Sequence, residues 1–258
     1  MKFRRALLPC AVLSLVVGPL ALCFSQESGP KKEARVTLVL PVAVLERKGE
    51  KETTRILPNM IVKEGDKITT MKGSRVEITF PGRTVLRVDE NTSILIEGLK
   101  EGKVKTRVLP SLAGKDRAKV WGKIYKKEEG KGLEVKTPIA LTGVEGTVFR
   151  IDLLSDSTTT VKVYTGSVKV VPFRVVPEWE DIAGIGYKVT SPRQVPGPRQ
   201  VPGPREVTLS EYMVILSALE EVTLHSGDIR EKPVPQKFDL TADSLDVWVK
   251  WNLKRDAR

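Results

Sequence analysis

Apolar and polar residues alternate at period two along most of this chain. The first runs are RVTLVLPVAVL from Arg35 and then TTRILPNMIV. Residues 63–70, KEGDKITT, read as a turn leading into a strand. Residues 75–80 alternate cleanly, with Val76, Ile78 and Phe80 on one face. Pro81-Gly82-Arg83 is a turn, and residues 84–88 return as the second arm of a hairpin. Asp89-Glu90-Asn91-Thr92 turns again, into a strand at 93–97. Short strands parted by glycine turns recur as far as residue 171. That regular spacing predicts a mainly β fold, a sandwich, barrel or solenoid.

The densest signal lies at 135–171, VKTPIALTGVEGTVFRIDLLSDSTTTVKVYTGSVKVV. Valine, isoleucine, threonine and phenylalanine alternate there as half-buried strands require. Pro138 has no N–H, so it should end a strand or lie at an edge. A crossover is then expected before residues 147–151, where Thr147 and Val148 take opposite faces. Gly143, Gly146 and Gly166 mark places where the chain turns or another backbone comes close. Thr165-Gly166-Ser167 reads as a tight turn between strands at 160–164 and 168–171. The order Val135-Lys136-Thr137-Pro138, Gly143-Val144-Glu145-Gly146-Thr147-Val148-Phe149, Gly166-Ser167-Val168 resembles the signature of the FecR domain. The resemblance runs from about Gly65 to Val171. It implies a twisted, solenoid-like β module of bacterial cell-surface signalling that works outside the cytoplasm. It also implies contact with partners through sheet edges or faces. Thr137, Pro138, Gly143, Gly146, Thr147, Phe149 and Gly166 carry the motif, and their expected role is structural. Two details depart from the family: Glu145 stands where many members are basic, and Pro81-Gly82-Arg83 replaces an Asp-Gly-Ser-like turn.

Beyond Val171 the pattern changes. Residues 172–206 are rich in proline and glycine, and PRQVPG occurs twice in succession. Such a repeat cannot pack a core and favours polyproline II, so a linker is expected. Residues 207–258 read as a helical tail. Thr208 and Glu211 fit a capping box, and Tyr212, Ile215, Leu216 and Leu219 follow at helical spacing. A short strand is expected at 221–224, closed by Ser226-Gly227-Asp228. A second helix is expected over 242–255, with Leu245, Trp248, Val249 and Asn252 on one face and Trp251 beside it. The ending W-x-x-W-N-x-x-R-D resembles the tail of some FecR-domain proteins. Its tryptophans either dock the helix on the β domain or meet a partner. Trp121, Trp248 and Trp251 are the candidate binding residues.

The N-terminus bears on compartment. Lys2, Arg4 and Arg5 precede an apolar run to Phe24, so residues 1–25 read as a signal peptide and 26–34 as a tether. An uncleaved membrane anchor is the other reading, and it is the membrane contact that the sequence suggests. With five residues before the apolar run, the cytoplasmic anti-sigma segment of iron-uptake regulators is expected to be missing. Both cysteines, Cys10 and Cys23, lie in this segment, so stability must come from packed sheets rather than disulfides. The domain layout is then 1–25, 26–34, 35–171, 172–206 and 207–258, and the expected location is periplasmic or extracytoplasmic.

Net charge is +11, which favours anionic partners. Export argues against nucleic acid, leaving a wall or surface polymer. Lysines and acids alternate in KIYKKEEGKGLE, so the expected use of these charges is a solvated strand face. Catalytic chemistry is sparse. His225 is the one histidine and has no nucleophile elbow near it in sequence. There is no phosphate loop and no histidine–cysteine cluster for zinc. Asp152, Ser155 and Asp156 form at most a weak calcium pattern. The sequence therefore points to a non-enzymatic envelope module for binding, sensing or scaffolding, with envelope proteins as partners and no cofactor. The alternative is a wall- or carbohydrate-binding module using Trp121, Trp179 and the basic face.

Overall fold

A computed structural model describes residues 33–50, 52–100, 103–109, 117–125, 132–154, 156–172, 213–225 and 232–257. The N-terminal segment with both cysteines, Ser155, Trp179, the proline repeat, Thr208, Glu211, Tyr212 and Ser226-Gly227-Asp228 lie outside these residues.

Alternation becomes strand after strand. The first are β1 (Ala34–Leu40), β2 (Ala43–Glu46), β3 (Thr53–Arg55), β4 (Ile61–Val62), β5 (Lys67–Thr70) and β6 (Arg75–Phe80). Then come β7 (Thr84–Val88), β8 (Ser93–Lys100), β9 (Lys103–Leu109), β10 (Ala118–Ile124) and β11 (Gly132–Lys136). The last are β12 (Ala140–Leu153), β13 (Thr159–Pro172), β14 (Val214–Ser217), β15 (Glu220–Leu224) and β16 (Gln236–Lys237). Two short helices follow, α1 (Leu240–Asp243) and α2 (Val247–Asp256). The fold is mainly β with a helical C-terminal tail, as the sequence pattern predicts.

The sixteen strands among the described residues belong to one sheet, organised as two courses that share bent strands. The first course runs β4-β1-β6-β7-β10, then residues 148–153 of β12, 159–163 of β13, β15 and β16. The second runs β3-β2-β5-β8-β9-β11, then residues 141–144 of β12, 167–170 of β13, and β14. Inward residues of both courses meet in a single core. Val36, Ile78 and Val120 contribute from the first, and Ile68, Ile94 and Val135 from the second. Each such buried side chain is worth roughly 1.5–3 kcal/mol.

The predicted hairpin of β6 and β7 is present, with Val76 opposite Val88 and Phe80 opposite Thr84. Its turn uses left-handed backbone at Gly82 (φ 83°) and Arg83 (φ 61°). β11 ends at Lys136, before Pro138, as the missing N–H requires. The expected crossover is absent, however. Thr137 N–H donates to Ala140 O at 2.8 Å, and Ala140 N–H donates to Thr137 Oγ1 at 3.1 Å. The chain thus reverses at once into β12, pairing Lys136 with Leu141.

Gly143, Gly146 and Gly166 are not turns either. β12 and β13 each run through for 14 residues. Gly143 sits in mid-strand opposite Glu134 and Lys169. The register slips between Glu145 and Phe149, and there Gly146 (φ 62°) and Gly166 (φ 82°) take the left-handed conformation. These are bulges that carry both strands from one course to the other. The turn reading fails because a bulge glycine and a turn glycine need the same backbone freedom, while the other reading, close approach of a backbone, holds at Gly166. At Gly166 the space is closed as well: a Cβ would sit 2.7 Å from Gly146 O and overlap Thr147 Cγ2.

The helix expected through Tyr212 to Leu219 is replaced by strand. β14 and β15 run end to end along β13, stepping over its bulge at Leu219, whose N–H donates to Val163 O at 2.8 Å. Val214 and Leu216 are buried while Ile215 is 54% exposed. That is strand alternation, and the backbone of β13 supplies partners that outweigh local helix preference. The strand predicted at 221–224 lies within β15. The second helix is interrupted at Ser244-Leu245-Asp246, and Leu245 is 82% exposed rather than on the buried face. Asp239 and Asp246 cap the two pieces, accepting from Thr241 N and Trp248 N, each at 2.8 Å.

Gly82 and Gly166 have nearly equal φ, but a Cβ at Gly82 meets nothing within 4 Å. Gly82→Ala should therefore cost only the left-handed penalty, about 1–2 kcal/mol. Gly166→Ala should cost about 1–3 kcal/mol more through overlap. Urea denaturation of both variants measures the difference, and equal losses would refute the close-packed corner.

Candidate functional site

The alternation that sends Val76 and Ile78 inward sends Glu77 to the other face of the first course. Strand register then places one residue per strand in a row: Glu77, Arg87, Trp121, Arg150, Lys162 and Glu221. A charged face of this kind belongs in water, but the tail covers it. Trp248, Val249 and Asn252 of α2 are buried against it.

Arg87 is the hub, with its side chain 3% exposed. Its Nε donates to Glu77 Oε2 at 2.7 Å. Its Nη1 lies 2.7 Å from Asp256 Oδ1 and donates to Asn252 Oδ1 at 3.2 Å. Arg255 reaches back from the tail to clamp Glu77 through two bonds of 2.6 and 2.9 Å. Thr37 Oγ1 donates to the same carboxylate at 2.8 Å. Trp121 Nε1 donates to Asp256 Oδ2 at 3.0 Å, and Lys123 Nζ to the Asp256 carbonyl at 2.8 Å.

A second knot lies further along the row. Arg150 is 3.0 Å from Asp152 and 3.4 Å from Asp243. Lys162 pairs with Asp243 at 3.0 Å and Glu221 at 2.7 Å. Tyr164 donates to Asp243 Oδ2 at 2.6 Å, and Lys119 Nζ to Asp246 Oδ2 at 3.0 Å. Acids of the tail thus sit over bases of the sheet, and the tail's Arg255 sits over the sheet's Glu77.

The electrostatics follow from these contacts. Burial tends to raise the Glu77 carboxyl, but the bonds from Arg255, Arg87 and Thr37 outweigh it and hold it at about 2. Burial opposes ionisation of Asp246 too, and Lys119 and the Trp248 N–H overcome it, so its pKa is lowered. Asp152 goes the other way: burial raises it, and Arg150 offsets only part. Burial pushes the Tyr164 phenol up, Arg150 resists, and the bond to Asp243 adds to the rise.

Aromatic rings fill the space between the charges. Trp121 and Tyr164 have centroids 4.4 Å apart, and Phe238 meets Tyr164 edge-on at 5.5 Å. Trp248 stacks on Trp251 at 5.4 Å. The Arg75 guanidinium lies 5.2 and 5.0 Å from those two rings.

Of the candidate binding residues, Trp121 is fully buried, Trp248 nearly so, and Trp251 half-buried. All lie at this sheet–tail contact. The motif residues are elsewhere: Phe149 belongs to the main core, and Thr137, Pro138, Gly143, Gly146, Thr147 and Gly166 shape the β11–β12 turn and the β12–β13 corner. His225 lies beside Thr158, Nδ1 to Oγ1 3.3 Å. Asp152 is engaged by Arg150, and Asp156 accepts from Thr158 N at 2.8 Å. Among the described residues no group of three or more His, Cys, Asp or Glu is placed to hold a metal. None of the helices among them is long and apolar enough to cross a membrane.

Sequence reading missed Glu77, Arg87, Arg150, Asp243 and Asp256. It placed the charges of KIYKKEEGKGLE in solvent; of these Lys123 is half-buried beneath the tail, and residues 126–131 lie outside the described residues. The available signal was the opposition of Glu77 and Arg87 across a predicted hairpin, together with an Arg-Asp pair ending the tail.

Truncating Arg87→Ala would take the central cation from buried Glu77 and part-buried Asp256, leaving Glu77 to Arg255 and Thr37, and Asp256 to Trp121 and Lys123. The expected loss is about 1.5–3 kcal/mol, the worth of hydrogen bonds to charged groups, read by urea denaturation. A loss under about 1 kcal/mol, the usual worth of an exposed pair, would show the row to be solvated. Acid behaviour gives a second reading. Glu77 has a folded pKa depressed from 4.5 to about 2. Its stabilisation is therefore full above the unfolded value and is lost as pH falls between them. Glu77→Gln should flatten that limb of the stability curve. Asp152, being raised, contributes with the opposite sign.

Residues 66–169 match the family model described as FecR protein. No curated protein matches the chain. Two crystal structures of a proposed anti-sigma factor from Parabacteroides distasonis ATCC 8503 resemble it, at 1.65 and 2.50 Å resolution. Identity is 16% and 15%, coverage of this chain 71% and 70%, and the TM-score 0.44 for both. The alignment spans 64% of each of those chains, under two thirds of their length.

Proposed function

We propose, from the match of residues 66–169 to the family model described as FecR protein, that this chain is a non-catalytic envelope module. Its work is to bind a partner protein in sensing or signalling. The domain match is the observation that carries the reading, and the family supports a signalling or sensing role. Export through the N-terminal segment, and a periplasmic or extracytoplasmic location, complete the proposal. They rest on the basic-then-apolar pattern of residues 1–25.

The geometry supports binding through backbone. β3 is exposed at all three residues and pairs only with β2 among the described residues. A strand edge offers donors and acceptors to an added strand. Among the described residues nothing comparable supports sugar or wall-polymer recognition. That reading used Trp121, Trp179 and the basic face; Trp121 is buried, and Trp179 lies outside the described residues.

In-cell cross-linking followed by mass spectrometry should recover discrete envelope proteins linked near residues 53–55. Recovery of glycan alone, with saturable and salt-sensitive binding to peptidoglycan, would overturn the proposal. The mass of the mature N-terminus tests export separately, with cleavage expected after Cys23 or Ser25.

A further inference from the structure

The tail is held mainly by charge. α1 buries none of its residues, and α2 buries Trp248, Val249 and Asn252. Asp243, Asp246, Arg255 and Asp256 each meet an opposite charge on the sheet. The apolar contacts beneath the tail form a small cluster of their own, centred on Trp121, Tyr164, Trp248 and Val249, apart from the main core. Lifting the tail would leave that core closed. It would bare Arg87, Lys119, Lys123, Arg150 and Lys162 around Trp121 and Tyr164.

The fit is also incomplete. Arg150 Nε and Asp152 Oδ1 are buried without a hydrogen-bond partner. Buried ion pairs add little net stability, because desolvation offsets attraction. They do select strongly among ligands by charge arrangement. A cover designed only to shield the sheet would be better made of apolar residues.

We propose that this face is an exchangeable recognition site and that residues 239–257 are its resident ligand. The partner that displaces them is a helical segment of another envelope protein. It carries paired tryptophans one turn apart and carboxylates placed like Asp243, Asp246 and Asp256. Charge complementarity argues for that occupant: the bared face sets the bases Arg87, Lys119, Lys123, Arg150 and Lys162 against the acids Glu77, Asp152 and Glu221, an excess of positive charge, and Trp121 Nε1 needs an acceptor. The tail competes from the same chain, at an effective concentration in the millimolar range for a short connection. The open face is therefore a minor state until a partner captures it. This inference rests on the reading of the chain as a binding module and adds a second surface to the β3 edge.

The probe is a labelled synthetic peptide copying residues 239–257. It is titrated against the full chain and against the full-chain Asp243→Asn/Asp256→Asn variant. Saturable binding to the variant is expected, at least about tenfold weaker binding to the unaltered chain, and weakening at about 0.5 M NaCl. No binding to a folded variant, or equal binding of a scrambled peptide, overturns the proposal. Should the variant fail to fold, hydrogen exchange on the unaltered chain decides. Amides of 247–256 should open at least about tenfold more often than those of β7 and β10. Tail amides that exchange only together with the core strands would overturn it. So would concentration-dependent dimers formed by tail exchange, which would assign the face to a second copy. Peptide exchange tests the surface and cross-linking in cells tests partner binding, so the two proposals fail separately.

Discussion

The buried guanidinium of Arg87 is the constraint on which the covered face depends. A cation at 3% exposure is tolerable only if every neighbour answers it. Glu77 comes from the adjacent strand, and Asp256 and Asn252 come from the far end of the chain. Glu77 in turn needs Arg255, and Asp256 needs Trp121 and Lys123. One buried charge thus fixes the position of the whole tail. The apolar cluster beneath it is too small to select a register by itself, whereas a bidentate Arg255–Glu77 pair admits a single orientation.

That arrangement needs strands that hold the row in line. The row crosses six strands, and every step is a register pair. Slipping any one by a single residue would turn its charge into the core. The two bulges protect this register. They let β12 and β13 serve both courses, so that the same strand carries Arg150 under the tail and Val144 in the second course. Gly122 has a related duty, since a Cβ there would overlap the Phe149 ring.

The family match begins at residue 66 and ends at residue 169, but the sheet does not stop there. β1 pairs with β6, and β2 with β5, from one side of the matched segment. β14 and β15 pair with β13 from the other. The flanks therefore complete the sheet and, with the tail, cover one face of it. One face of the matched segment is thus covered by residues outside it.

Sequence alone determined the mainly β fold, the β6–β7 hairpin, the strand end before Pro138 and the core residues Val76, Ile78 and Phe80. These follow from period-two alternation and local turn chemistry, which need no distant partner. It also placed Trp248, Val249 and Asn252 on one helical stripe. Only the tertiary structure decided that Gly146 and Gly166 are bulges, because turns and bulges share the same φ. Only it decided that 214–217 is strand, because the pattern of Tyr212 to Leu219 fits a helix until the edge of β13 is present. The charged row was equally hidden. An alternating charge reads as solvated, and Glu77, Arg87 and Asp256 become a buried site only when residues nearly two hundred positions apart are brought together.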